Sequence, residues 1–125
     1  DGQSVSLSSF EGQPVLINLW QVRCPPCRSE MPYMQQIYDE WHSRGLVLLT
    51  INIGESSAVI EEFMQSQGLS LPVLLDREGK VAQKYNIQFI PTTFLVDKDG
   101  IIQEKIIGAF QSKEQIEKKV SQMLP

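Results

Sequence analysis

Val15-Leu16-Ile17-Asn18-Leu19-Trp20, followed by Gln21-Val22-Arg23-Cys24-Pro25-Pro26-Cys27, is the stretch that decides how this chain folds. The first six residues are β-branched, aliphatic or aromatic apart from Asn18. A run of strand length that is apolar on both faces suits a central strand covered on both sides. Beyond Cys24 the period changes: Met34, Ile37, Tyr38 and Trp41 recur at three- and four-residue steps, the spacing of an amphipathic helix. Pro25 and Pro26 fit its first turn, where N–H groups have no intrahelical acceptor. Pro32 sits deeper and is expected to kink it, and Arg44-Gly45 supplies a basic last turn and a glycine stop. A pair of cysteines therefore stands where a strand becomes a helix.

Working outward, Leu46 to Ile53 reads as a second buried strand. Gly54-Glu55-Ser56-Ser57 leads into a helix carrying Val59, Ile60, Phe63 and Met64, stopped at Gly68. Pro72 to Leu75 is a short strand, Arg77-Glu78-Gly79 a turn, and a short helix runs through Tyr85. Thr93 to Val96 and Ile101 to Ile107 flank Asp97-Lys98-Asp99-Gly100, a hairpin turn. Ser112-Lys113-Glu114-Gln115 has the capping-box form and opens a terminal helix buried through Ile116, Val120, Met123 and Leu124. At the start, Val5 and Leu7 suggest a short edge strand, and Glu11-Gly12-Gln13-Pro14 a turn. The order β-α-β-α-β-α-β-β-α, its last two strands antiparallel, predicts an α/β fold. One mixed central sheet carries helices on both faces, in a single domain spanning residues 1–125.

At 42% hydrophobic, 125 residues bury a core without help from metals or multiple disulfides. The net charge is −4, with Lys and Arg scattered between acids. No basic stripe offers a site for nucleic acid, and no polybasic face one for anionic lipid. No apolar run approaches the roughly 20 residues of a spanning helix. The chain opens at Asp1 rather than Met, so a trimmed or processed N-terminus is expected, compatible with a signal peptide or membrane anchor ahead of it.

Cys24 and Cys27 are the only cysteines. A disulfide stabilises by closing a loop, and more so for a longer one, so this short ring is poorly explained by stability. As half of a zinc site the pair lacks partners: zinc wants four ligands, and beyond these two the chain has only His42 and carboxylates. Next to a βαβ pattern, Cys-X-X-Cys reads as a thioredoxin-like redox motif. The sulfur of Cys24 is expected over the unpaired N–H groups of the helix start, where they and the helix dipole favour a negative charge. A free thiol titrates near 8.5 and falls to roughly 3.5–7.5 in such motifs. Two units would be worth about 2.7 kcal/mol in favour of the thiolate. Arg23 beside it adds to this. Cys24 is assigned the attack on a disulfide, and Cys27, nearly one turn inward, the resolution of the mixed disulfide.

Leu19-Trp20-Gln21-Val22-Arg23-Cys24-Pro25-Pro26-Cys27, Pro32 and Ile90-Pro91-Thr92 together resemble the active-site motif, kink proline and cis-proline loop of thioredoxin-like proteins. With Glu30-Met31-Pro32 and Gly54-Glu55-Ser56, the chain is most similar to the extracytoplasmic TlpA/ResA-type reductases, from about Val5 to Leu124. The resemblance implies that Pro91 is cis and that Ile90, Pro91 and Thr92 offer backbone to a substrate strand. Where thioredoxins proper bury an Asp before the dithiol, this chain has Asn18, and Glu55 is implied as the proton acceptor for Cys27, with its pKa raised by partial burial. Read without the resemblance, Glu55 is a loop acid near a helix start. Trp20 is expected in the core, shielding the dithiol, with Arg23, Pro25 and Pro26 supporting the site. Arg23 stands where the family usually has tryptophan, a departure that suggests an acidic target.

The function implied is thiol–disulfide exchange, as a reductase of protein disulfides such as the cysteines of apocytochrome c during haem attachment. The resemblance further implies an extracytoplasmic bacterial setting, re-reduction by a membrane thiol donor, a monomer, and no cofactor beyond the redox-active disulfide. The alternatives are a copper carrier resembling the Sco proteins, whose cysteines stand three residues apart and act with a histidine, and a non-catalytic interaction domain. Peroxidases share the fold but use a Pro-x-x-x-Thr-x-x-Cys setting that this chain lacks. His42 is assigned no function, and the charges from Lys113 to Lys119 are read as a solvated helix face.

Overall fold

The computed structural model describes Ser4 and residues 6–124. Five strands, β1 (Val15–Trp20), β2 (Val47–Ile53), β3 (Val73–Asp76), β4 (Thr92–Val96) and β5 (Ile102–Ile107), form one sheet in the order β3-β2-β1-β4-β5. β1 runs parallel to β2, and β2 to β3. β4 is antiparallel to both β1 and β5. The helices are α1 (Pro25–Trp41), α2 (Ser57–Ser66), α3 (Lys80–Lys84) and α4 (Lys113–Met123). This is the expected α/β order, with β1 at the centre of the sheet.

Side-chain alternation along β1 divides the interior in two. Leu16 and Trp20 join Met31, Met34 and Ile37 of α1, Ile60 and Phe63 of α2, and Ile116 and Val120 of α4 in the larger core. Val15 and Leu19 face the other way, with Leu49, Phe94 and Val96, backed by Phe10 and Ile87. The uneven division has a topological cause. β1-α1-β2 and β2-α2-β3 both step outward across the sheet in the same direction, and right-handed crossovers then place both helices on one face. Among the described residues, the opposite face carries α3 and a 3-10 turn over Leu7–Phe10. An apolar cavity of about 270 Å³ lies there, lined by Ile17, Ile51, Leu74 and Phe94 among others.

Two expectations change. Of the early edge strand, Val5 lies outside the described residues and Leu7 opens the 3-10 turn instead. Ser8 and Ser9 favour such local bonding over a ladder, and the Ser9 N–H donates to the Ser6 carbonyl at 3.0 Å. Val59, on the outer side of α2, is 46% exposed, while Ile60, Phe63 and Met64 are buried. Pro32 sits inside α1 without ending it. Gly45 closes the turn after α1 at φ 100°, a left-handed conformation that glycine adopts without strain.

Candidate active site

Cys24 is the N-cap of α1, with extended backbone (φ −100°, ψ 105°), and Pro25 and Pro26 fill the first helical positions. Its Sγ accepts the N–H of Cys27 at 3.2 Å. The two cysteines are joined in a disulfide, their Cα atoms 5.2 Å apart. Cys24 is 8% exposed and Cys27 is fully enclosed, so a partner can reach only the first sulfur. Trp20, at the end of β1, is buried in the same cluster as both cysteines and packs on Phe63 at 5.6 Å between ring centroids. Arg23, Pro25 and Pro26 are exposed around the sulfur.

The loop before β4 closes the other side. The Ile90–Pro91 peptide bond is cis, and the Ile90 carbonyl oxygen lies 3.8 Å from Cys24 Sγ. The Gly108 N–H donates to the Pro91 carbonyl at 2.9 Å, and the Thr92 hydroxyl to the Phe89 carbonyl at 2.6 Å. Pro91 and Thr92 are buried, Ile90 is half-buried, and Phe89 is 63% exposed beside them. Ile90 thus comes from far along the chain to face Cys24, with the buried Pro91 and Thr92 following it.

Glu55 reaches the site from beyond β2, but its carboxylate is engaged by main chain. Oε1 accepts the Val22 N–H at 2.5 Å and an Asn52 Nδ2–H at 2.9 Å, and Oε2 accepts the Arg23 N–H at 3.4 Å. Glu55, the expected proton acceptor, thus holds the Val22 and Arg23 N–H groups of the loop that leads to Cys24.

A second acid, to which the sequence reading gave no role, lies under the dithiol. Glu30 is fully buried on α1. Three residues beyond Cys27, it shares that residue's helix face, with Cβ atoms about 5–6 Å apart at this spacing. Its Oε1 accepts from Asn18 Nδ2 at 2.7 Å and its Oε2 from the Phe110 N–H at 2.8 Å. Asn18 also donates to the Thr93 hydroxyl at 3.1 Å. Burial raises the Glu30 pKa to about 7, against the opposing pull of the Phe110 N–H and of Asn18. The signal was in the sequence: Cys27, Glu30, Met31, Met34 and Ile37 form one helical stripe, and a carboxylate on an apolar stripe is the exception to notice.

Residues 1–105 match the AhpC/TSA family. The thiol–disulfide oxidoreductase ResA of Geobacillus kaustophilus is 37% identical over 99% of this chain and 71% of its own length. The chain belongs to the ResA-like thiol–disulfide oxidoreductases. Among solved structures, StoA from Bacillus subtilis is similar at 33% identity and a TM-score of 0.79, covering 88% of this chain and 84% of that one. An exposed lipoprotein thioredoxin from Streptococcus pneumoniae is similar at 27% identity and a TM-score of 0.80, covering 97% and 93%. Together with the sheet order, these likenesses establish a thioredoxin-like fold carrying a Cys-X-X-Cys redox disulfide.

The copper-carrier alternative needs a histidine near the sulfurs. His42 lies past the far end of the 17-residue helix α1, about 25 Å from Cys24 by helical rise, and stacks on Tyr38. Among the described residues no group of three His, Cys, Asp or Glu side chains is gathered as a metal site.

Proposed function

We propose that this ResA-like oxidoreductase reduces protein disulfides, with Cys24 as nucleophile, Cys27 as resolving thiol and Glu30 as proton acceptor. The reading is carried by one observation: the partly exposed Cys24 sulfur accepts a helix N-terminal N–H, whereas Cys27 is enclosed. In the reduced protein the Cys24 thiolate attacks one sulfur of the substrate disulfide and expels the other as a thiolate. Cys27 passes its proton to Glu30 and attacks Cys24 Sγ. The Cys24–Cys27 disulfide closes and the second substrate thiolate leaves, two electrons having passed to the substrate. A carboxylate titrating near 7 is well matched to that transfer at neutral pH. Ile90, Pro91 and Thr92 hold the substrate segment beside Cys24. Trp20 keeps water from the disulfide, Pro25 and Pro26 fix the helix start, and Glu55 positions the loop rather than moving the proton.

The ResA likeness and the exposed lipoprotein thioredoxin support an extracytoplasmic setting. In this reading the targets are apocytochrome c cysteines, and a membrane thiol donor restores the dithiol. The domain acts as a monomer in this reading. Cys27→Ser should accumulate mixed disulfides with substrate, and Cys24→Ser should form none, read on non-reducing gels after alkylation. Equal trapping by both variants would reverse the assignment.

A further inference from the structure

Two arginines bracket the dithiol, Arg23 immediately before Cys24 and Arg28 immediately after Cys27. Arg28 turns back toward the same loop, its Nη1 donating to the Val22 carbonyl at 3.2 Å, and Arg23 Nε donates to Gln21 Oε1 at 3.3 Å. Both side chains are exposed, and both acceptors are neutral. The ion pairs formed among the described residues all use lysine, and Arg44 lies over Trp41 while Arg77 donates to Ser57. Among the described residues the one carboxylate hydrogen-bonded to the loop, Glu55, is held by the Val22 and Arg23 N–H groups and Asn52. Two guanidinium groups against one carboxylate leave the rim of the reactive sulfur cationic, on a chain whose net charge is −4.

We infer that the partner is a polypeptide whose reacting cysteine is flanked by Asp or Glu side chains, received by Arg23 and Arg28. The inference rests on the oxidoreductase reading and specifies its substrate. A planar guanidinium forks naturally onto a carboxylate. Screening confines the attraction to about 8–10 Å around the sulfur at physiological salt, so the rim governs docking even though the molecule as a whole is acidic. Phe89, exposed across the cis-proline loop, gives the same segment an apolar contact on its other side.

The test compares disulfide-linked peptides with Asp, Asn or Lys beside the cysteine. Each is measured in parallel with 2-hydroxyethyl disulfide, a neutral probe that reports the intrinsic reactivity of Cys24. At about 20 mM ionic strength the acidic peptide should exceed the basic one about tenfold in kcat/KM, the Asn peptide falling between, and the gap should close at about 0.5 M. After division by the rate on the neutral probe, Arg23→Gln with Arg28→Gln should bring the peptides within about twofold, and Arg23→Glu with Arg28→Glu should invert their order. Equal rates on acidic and basic peptides at low salt, or a preference that survives both double substitutions, would overturn the inference alone. Inertness toward every disulfide, the neutral probe included, would overturn the oxidoreductase reading with it.

Discussion

Glu30 is destabilising once it ionises, and this links the chemistry of the site to the stability of the fold. Its folded pKa, about 7, stands above the ordinary 4.5, so the native state holds the proton more tightly than the unfolded chain does. The Glu30 contribution to stability is therefore greatest below pH 4.5 and declines as pH rises to about 7, by about 3 kcal/mol in all. Gln at this position can accept the Phe110 N–H and donate to Asn18 Oδ1, which has no partner among the described residues, once the Asn18 amide turns. Glu30→Gln should match the parent at about pH 4 and exceed it by about 2–3 kcal/mol at about pH 8, measured by denaturant titration at both values. The same variant should slow release of the mixed disulfide by about 10²-fold or more and abolish the rise in that rate between pH 6 and 8. Glu55→Gln should keep the rise, and a flattened profile there would return the proton to Glu55. Sequence reasoning found the two cysteines and the proline loop because their spacing is itself the signal. It passed over Glu30 because the helical stripe was read from Met34 onward, short of the turn where Glu30 stands between Cys27 and Met31; Asn18 and the Phe110 N–H then supply its partners.

At the scale of elements, much of the site depends on carboxylates that accept main-chain N–H groups. Glu55→Ala leaves the Val22 and Arg23 donors on the Cys24 loop unpaired; a loss of about 2 kcal/mol in thermal or denaturant unfolding is expected, with slower attack by Cys24. Asp76, buried at the end of β3, accepts the Val81 and Ala82 N–H groups at 3.1 and 3.0 Å and so starts the five-residue helix α3. Asp76→Ala should cost about 2 kcal/mol by the same measurement while leaving disulfide exchange in place. Long periodic elements were legible: β1 announced itself by an apolar run, and α1 by its stripe from Met34 to Trp41. The capping box was legible in part. Ser112 does accept the Gln115 N–H, but the Gln115 side chain reaches the Gln111 N–H instead of that of Ser112. Leu7 misled because two alternating apolar residues are too short a pattern to outweigh the serines around them.

Across the whole molecule, the order of elements fixed the mixed sheet in advance, whereas the crowding of α1, α2 and α4 onto one face came from two crossovers of the same hand. That arrangement sets the start of α1 near the end of the central strand and folds the distant Ile90 carbonyl against Cys24 and the Phe110 N–H against Glu30 farther along the helix. The proposed function requires of that arrangement that the reduced Cys24 stand as an anion beside the enclosed Cys27. The most direct check is the pH dependence of iodoacetamide alkylation of Cys24 in the reduced protein, followed by mass spectrometry. Reactivity should rise with a midpoint well below the 8.5 of an ordinary thiol. A midpoint at or above that value would contradict the assignment of Cys24 as the activated nucleophile.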